Sequence, residues 1–313
     1  MIRTAQSLIS LWINRRRQQI VLARAVYGFS GYGHPVLRVE PANRLLSARL
    51  KESKPLMVTR LGNSELDAMS FWHFHRGNSK EHYPMRVAKR MGLCAGLFPV
   101  TDDSLDRFSQ LYSEAVRKTD IMGVWFNKHE DYFCRNYCGQ AELVELRGIE
   151  PYFSRCPWSA HLAGRKVLVI HPFAQTIERQ YKSVRKHLFK NPKVLPPFEL
   201  KTVRAVLSLA NHTSGFSDWF EALAHMKQEI AEVDFDIALI GAGAYGLPLA
   251  AYIKGLGKQA VHMGGATQLM FGIKGKRWDG VKDVARFYNE YWVRPLPEET
   301  PAEAGVVEGG CYW

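Results

Sequence analysis

Apolar and polar positions follow two different periods along the second half of the chain. Short, nearly continuous apolar runs such as KVLVI and DIALI have the length and composition of parallel strands that are buried on both faces. Segments with apolar residues at three- and four-residue steps lie between these runs, and that step is the period of an amphipathic helix. This half predicts strands over residues 166–170, 202–207, 236–240 and 259–261, and helices over 174–188, 217–231 (capped by Ser217) and 247–254.

The first half carries the same alternation with weaker signals. Strands are predicted over residues 56–61 and 121–126, and helices over 43–51, 64–71 and 102–118. Thr101 or Asp102 is placed to cap the last of these helices. Strands that alternate with helices indicate an α/β fold, Rossmann-like, with a mainly parallel sheet and flanking helices.

Residues 2–27 predict a basic amphipathic helix that stands apart from this pattern. No acidic residue precedes Glu40. Two interpretations remain open: the helix lies on an anionic membrane through residues 1–28, or it packs on its own domain with a solvated basic face. No apolar run of about 18 residues and no secretory signal is visible, so we expect a cytoplasmic protein, peripheral at the inner face of the cytoplasmic membrane in the first interpretation.

Composition and charge narrow the function classes. The 313 residues include 42 Lys and Arg against 30 Asp and Glu, a formal net charge of +12, and 46% hydrophobic residues are ample for a packed core. Five scattered cysteines do not suit a disulfide framework or a zinc site. The positive charge suits a membrane surface or phosphate-bearing ligands. Nucleic acid is the least supported partner, because no binding motif is present and aromatic residues do not interleave with the basic ones.

The chain divides into three parts on these patterns. We expect an N-terminal helix and linker over residues 1–40 and a catalytic domain over 41–295, either undivided or split into two subdomains near 155–165. Residues 296–313 form a C-terminal tail, in which Cys311, Tyr312 and Trp313 are candidates for docking onto the body of the protein.

The first candidate site lies where a predicted strand turns into a helix, at Arg60, Gly62, Asn63 and Glu65. Ligands of open α/β sheets bind outside the carboxyl ends of the strands, so these residues are placed to face one. Arg60 is suited to hold phosphate with its planar guanidinium, and Glu65 to act as a general base or a metal ligand. The alternative is that Glu65 only stabilises the first helical turn through the macrodipole.

The second candidate site is the glycine turn GAGAYG, which follows an apolar strand and precedes a helix. Its G-x-G-x-x-G spacing suits backbone N–H groups that approach a diphosphate at a helix N-terminus. No Asp or Glu occurs between Gly246 and Asp279 to hold the ribose of a dinucleotide. The turn therefore indicates either another nucleotide or a tight turn with glycines for packing. Its candidate residues are Gly241, Gly243, Tyr245 and Gly246.

A third, basic and glycine-rich stretch runs over residues 262–278. Its cations are suited to stabilise a departing diphosphate, and Trp278 to stack on a base or sugar; a solvated surface loop is the alternative. The candidate residues are His262, Gly264, Gly265, Lys274, Lys276 and Arg277. His171, at the predicted carboxyl end of a strand, is a further candidate catalytic residue.

Residues 60–65 (RLGNSE) resemble the R-F-G-D-G-E type motif of GT-D-fold glycosyltransferases, bacterial enzymes that assemble cell-surface polysaccharides and glycoprotein glycans. The motifs VLVIHPF, DIALIGAGAYG and GKQAVHMGG follow in the order typical of that group, so the resemblance covers roughly residues 55–278. It implies a nucleotide-diphospho-sugar donor, usually a UDP-sugar, and a D-x-E motif that acts with a divalent metal, Mn²⁺ or Mg²⁺. Glu65 matches the Glu of that motif, and Asn63, a neutral and weaker ligand, stands where the Asp would be.

The resemblance and the residues together predict a glycosyltransferase that acts on a cell-surface glycan or a lipid-linked acceptor, as in capsule or lipopolysaccharide assembly. Glu65 would be the base toward the acceptor hydroxyl or the main metal ligand, and the arginines, lysines and glycine turns would hold the diphosphate. Two alternatives remain open. One is a Rossmann-type nucleotide-dependent oxidoreductase, and the other is a noncatalytic adaptor of membrane-bound glycan machinery.

Overall fold

The computed structural model describes residues 32–79, 81–208, 215–301, 305 and 310–313. The predicted basic helix over 2–27 lies outside these ranges. The strands are β1 (Val36–Leu37), β2 (Leu56–Arg60), β3 (Ile121–Val124), β4 (Glu142–Glu145), β5 (Lys166–His171), β6 (Glu199–Arg204), β7 (Ile237–Ile240) and β8 (Gln259–His262). They form one eight-stranded sheet in the order β1-β4-β3-β2-β8-β7-β5-β6. Every neighbouring pair is parallel, which confirms the predicted class of fold.

Helices cover both faces of this sheet. The longer ones are α1 (Val39–Lys51), α2 (Asn63–Phe71), α3 (Met85–Leu93), α4 (Asp102–Val116), α5 (Glu130–Tyr137), α6 (Ala174–Val184), α7 (Trp219–Ala231) and α8 (Gly246–Gly255). Short helical turns connect several of them, including a π-helical turn at Trp72–Arg76 that continues α2. No helix within the described ranges is long and apolar enough to cross a membrane.

The sheet divides the hydrophobic core into two layers. Alternate residues of each central strand enter opposite layers, as Leu168 and Val169 do in β5, because successive side chains of a strand point to opposite faces. One layer is closed by α2–α5, α7 and α8, and the other by α1, α6 and the turns that follow β4. Burial on both faces explains why the central strands read as continuous apolar runs.

The strand order reverses between β2 and β8, which lie side by side in the middle of the sheet. The chain leaves β2 toward β3 and β4 on one side, and it reaches β8 from β7 on the other. A crevice outside the carboxyl ends of the strands is expected at such a reversal point. The fold therefore predicts that ligands bind beyond the ends of β2 and β8.

Several local predictions needed correction. Asp218, not Ser217, is the N-cap of α7, because its carboxylate accepts a hydrogen bond from the Glu221 backbone N–H at 2.7 Å. Strand β6 occupies 199–204 rather than 202–207, since its register is set by pairing along the whole of β5. The capping box of Thr101 at the start of α4 confirms one of the two predicted caps. The sequence pattern missed β1, β4, α3 and α5.

Candidate active site in the crevice of the sheet

A cleft lies outside the carboxyl ends of the central strands, where the strand order reverses. Its empty volume is about 1000 Å³, with open solvent at the mouth included. Ten of the residues that line it are Arg60, Gly62, Asn63, Glu65, Arg90, Trp125, His171, Phe173, Tyr312 and Trp313. Several of these residues are separated by more than a hundred positions in sequence, and the parallel sheet brings them to one edge.

Arg60 is the last residue of β2 and lies close to residues at the ends of both neighbouring strands, β3 and β8. Its guanidinium carbon lies 5.1 Å from the centre of the Trp125 ring. Gly264, which follows the neighbouring strand β8, also lies close, because a Cβ atom there would stand 3.0 Å from Nη2 of Arg60. The Nε of Arg60 is buried and has no hydrogen-bond partner in the described ranges. This arrangement fixes a cationic donor group in the cleft before any ligand binds.

Glu65 is the third residue of α2 and folds back over the helix N-cap, Gly62. A Cβ atom on Gly62 would stand 2.1 Å from Oε2 of Glu65, so only glycine leaves room for the carboxylate. None of the hydrogen bonds or ion pairs among the described residues involves this carboxylate. Its charge, after burial, is a further cause of the raised pKa of Tyr112. Glu65 is therefore available to a proton or a ligand in the cleft.

The donor set of the cleft does not suit a divalent cation held by the protein. Among the described lining residues only Glu65 has a carboxylate side chain, and the nearby Asn63 offers only a neutral amide. Three arginines, Arg60, Arg90 and Arg277, line the same space. No group of three or more His, Cys, Asp or Glu side chains suited to a metal occurs in the described part of the chain. Positive charge in the cleft is thus supplied by guanidinium groups.

His171 ends β5 and lines the cleft while being almost fully buried. Burial lowers its pKa to about 3, so the imidazole is neutral at physiological pH. Its Nδ1 accepts a hydrogen bond from the Phe173 backbone N–H at 3.0 Å, which assigns the remaining ring proton to Nε2. His171 can therefore donate a hydrogen bond through Nε2 but is not poised to take up a proton.

The glycine turn contributes two of its four candidate residues to the cleft. Gly241 and Gly243 line it, and Gly243 has φ +51, a conformation that favours glycine. Tyr245 points away, since its ring stacks on Trp219 with centroids 4.6 Å apart. Gly246 begins α8 and serves packing, because a Cβ atom there would stand 2.2 Å from Nε2 of His262. Gly241 and Gly243 are thus placed to face a ligand, whereas Gly246 allows close packing.

His262 lies beneath the cleft rather than in it. Its Nδ1 is 2.9 Å from the hydroxyl of Thr59, and burial, with a smaller effect of Arg60, lowers its pKa to about 3. Gly264 and Gly265, which follow it, do line the cleft. Gly264 has φ +64 and Gly265 packs against the ring of Tyr312.

The basic stretch contributes Arg277 to the cleft lining, whereas Lys274 and Lys276 do not line it. The ammonium of Lys274 lies 5.3 Å from the centre of the Tyr288 ring. The backbone N–H of Lys276 donates to the carbonyl of Trp313 at 3.0 Å. The cluster of cations in the sequence is therefore divided by the local turn, with one side chain facing the cleft.

The tail docks onto the body and forms part of the cleft wall. The Gln268 side chain donates to the Tyr312 carbonyl at 3.0 Å, and the Arg277 backbone N–H donates to the Cys311 carbonyl at 3.0 Å. The indole of Trp313 donates to the Glu299 carbonyl at 3.1 Å. Tyr312 and Trp313 thereby come to line a cleft whose other walls are built by distant parts of the chain.

The sequence-based candidates did not include Trp125 and Arg90, which line the cleft. Trp125 directly follows β3, so the rule that ligands face the carboxyl ends of strands could have found it. Arg90 lies on α3 and forms an ion pair with Asp67 at 2.6 Å. No sequence signal pointed to this helix, because its contact with the cleft depends on how it packs against α2.

Comparison with known proteins gives little further guidance. No protein-family model matches the chain, and no curated protein matches it. One solved structure, reported under the description that the highly conserved domain of unknown function 1792 has a distinct glycosyltransferase fold, matches with a TM-score of 0.42 and 12% sequence identity. The match covers 84% of this chain and 92% of the other.

Proposed function

We propose that this chain is a glycosyltransferase that transfers a sugar from a nucleotide-diphospho-sugar to a hydroxyl group of a glycan or lipid-linked acceptor. The observation that supports this most directly is that one cleft contains both the fixed guanidinium of Arg60 and the carboxylate of Glu65. Arg60 is held ready for an anion, and Glu65 faces the same space without a partner in the described ranges. The resemblance of residues 60–65 to the motif of GT-D-fold glycosyltransferases points to the same chemistry, with a UDP-sugar as donor.

The proposed reaction uses the two groups in separate roles. The acceptor oxygen forms a bond to the anomeric carbon of the donor sugar, and Glu65 takes the proton of that hydroxyl. The bond between the anomeric carbon and the diphosphate oxygen breaks, and its electron pair leaves with the diphosphate. Arg60 and Arg277 stabilise the negative charge that develops there. Because the donor set does not suit a divalent cation held by the protein, no step is assigned to one.

Glu65→Gln tests the role of the carboxylate. The amide keeps the size of the side chain but cannot take up the acceptor proton, so we expect a loss of turnover of about 100-fold or more with little change in donor affinity. The matched control is Glu221→Gln, which changes the third residue of α7, the same helix position away from the cleft. Sugar transfer at the wild-type rate by the Glu65 variant would remove Glu65 from the mechanism.

The donor itself is found by screening UDP-, GDP-, CMP- and dTDP-sugars with and without Mn²⁺ or Mg²⁺, read by binding and hydrolysis. We expect a UDP-sugar to bind and turn over without added metal. Binding of NAD(P) and of no sugar nucleotide would favour the oxidoreductase alternative. Absence of any donor hydrolysis, together with membrane binding, would favour the adaptor alternative.

The proposal also includes a location. A lipid-linked acceptor would lie at the inner face of the cytoplasmic membrane, where residues 1–28 would contact anionic lipid. We expect the intact chain to sediment with anionic vesicles at low salt, and a variant lacking residues 1–28 to stay in the supernatant. Failure of the intact chain to bind would contradict the membrane contact and leave the transferase proposal in place.

A further inference from the structure

The loop between β3 and α5 contains unusual backbone conformations beside the cleft. Phe126 has φ 60 and His129 has φ 67, both in the left-handed region, which side chains other than glycine rarely adopt. Strained residues of this kind persist only where the surrounding structure holds them, and they concentrate at functional sites. The loop begins with Trp125, whose ring lines the cleft. We therefore expect a neighbouring residue to stabilise the backbone conformation of this loop.

The neighbouring residue is Glu130, the first of α5. It is fully buried, and its Oε2 accepts hydrogen bonds from the backbone N–H of Trp125 at 2.9 Å and of Asn127 at 3.1 Å. The hydroxyl of Tyr32 donates to the same oxygen at 3.0 Å. Three donors converge on one carboxylate, so the backbone on either side of Phe126 is fixed relative to α5.

Trp125, whose backbone Glu130 holds, contacts Arg60 through its indole ring. The indole ring lies against the guanidinium, and Gly264 approaches the same group from the end of the neighbouring strand β8, so the guanidinium has little room to rotate. A flexible arginine loses rotamer freedom when it binds an anion, and a guanidinium that is already fixed loses less. The affinity of Arg60 for an anion should then depend on the loop.

We propose that Trp125 and Glu130 are positioning residues for Arg60, with Glu130 acting through Trp125, so that the cleft binds the diphosphate of its ligand with a preformed guanidinium. This inference rests on the proposed function for the identity of the ligand. The contacts themselves do not depend on the ligand. Glu130 holds the Trp125 backbone, and the Trp125 indole holds the guanidinium of Arg60. Neither residue is assigned a chemical step.

The test measures binding of UDP and of inorganic pyrophosphate by calorimetry to the full chain. We expect Trp125→Leu and Glu130→Gln each to weaken binding about tenfold, and Trp125→Phe, which keeps an aromatic face for the guanidinium, to stay within about threefold of wild type. The double variant Trp125→Leu/Glu130→Gln should bind no more weakly than either single variant, because both changes remove the same support. Glu40→Gln is the matched control, since that carboxylate also accepts a backbone N–H (Arg155, 2.9 Å) and does not line the cleft.

Independent losses that multiply in the double variant would overturn the proposal, and so would wild-type affinity in a folded Glu130→Gln variant. If that variant does not fold by circular dichroism, Tyr32→Phe takes its place, because it removes only one of the three donors; a smaller loss that vanishes in the Trp125→Leu background is then expected. An unchanged affinity in Tyr32→Phe would count against the proposal.

A second readout separates this inference from the proposed function. If the wild-type chain binds neither UDP nor pyrophosphate, the proposed function fails. In that case the Nε–H nuclear magnetic resonance signal of Arg60, assigned by its loss in Arg60→Lys, tests whether Trp125 and Glu130 position the guanidinium. Trp125→Leu and Glu130→Gln should move that signal and Glu40→Gln should not. An unmoved signal in the first two variants would overturn the inference by itself.

Discussion

Glu299→Ala is a substitution in the C-terminal tail for which the structure predicts a large loss of stability. Glu299 is 3% exposed and lies in the short turn Pro297–Glu299 of the tail. Its Oε1 accepts a hydrogen bond from the backbone N–H of Gln175 at 2.8 Å, and its Oε2 accepts from the backbone N–H of Thr176 at 3.1 Å and from the Thr176 hydroxyl. The tail thus caps α6, whose own N-cap residue, Phe173, supplies no side-chain acceptor.

The magnitude follows from the groups left without partners. A hydrogen bond to a charged group contributes about 1.5–3 kcal/mol, and loss of a helix N-cap costs about 1–2 kcal/mol. These contributions overlap, because the same two backbone N–H groups are counted in both, so we expect the free energy of unfolding to fall by about 3 kcal/mol. At about 2 °C per kcal/mol for a domain of this size, the melting temperature should fall by about 6 °C.

Urea denaturation followed by circular dichroism measures the loss, and amide hydrogen exchange locates it at Gln175 and Thr176. Glu298→Ala is the matched control, because Glu298 is the neighbouring residue and is exposed. We expect it to change the free energy of unfolding by less than about 0.5 kcal/mol. Equal stability of the two variants, or unchanged exchange at the two amides, would refute the capping role of Glu299.

Two further predictions concern the cleft and the residue beneath it. Gly264→Ala should weaken binding of a sugar nucleotide about tenfold or more, because the new Cβ would stand 3.0 Å from Nη2 of Arg60. Gly164→Ala is the control for backbone strain, since Gly164 has a similar φ of +72 but a Cβ there would meet nothing within 4 Å. Equal binding by the two variants would contradict a role for the contact between residue 264 and Arg60. His262 has its pKa lowered to about 3, so the unfolded chain takes up a proton near pH 6.5 while the folded chain does not, and the stability that the neutral imidazole retains above pH 6.5 is lost as the pH falls toward 3. In urea denaturation, His262→Asn should therefore lose about 2 kcal/mol less than wild type between pH 7.5 and pH 5, and parallel losses would show that His262 does not carry this dependence.

The class of fold and the local surroundings of most candidate residues could be predicted from the sequence alone. Buried parallel strands need continuous apolar runs, so KVLVI and DIALI could be recognised without any knowledge of their partners. Arg60, His171 and the glycine turn each stand at the carboxyl end of a predicted strand, where ligands of such sheets bind. These predictions depended only on residues adjacent in the chain, and the structure brings all three to the cleft.

Which side chains of those segments face the cleft depends on how the segments pack in the folded chain. Lys274 and Arg277 are three residues apart, yet one lies on the ring of Tyr288 and the other lines the cleft, because the orientation of a short turn is set by what packs against it. Tyr245 and His262 are buried by contacts with α7 and with α8, which no local pattern records.

The contacts between segments that are distant in the chain could not be predicted from local sequence patterns either. Trp125 reaches Arg60 because β2 and β3 are neighbours in the sheet, and Glu299 caps α6 from more than a hundred residues away. Apolar periodicity reports whether a residue is buried, but it carries no information about which buried residue it meets. Strand order and the docking of the tail supply that information, and they are properties of the folded chain as a whole.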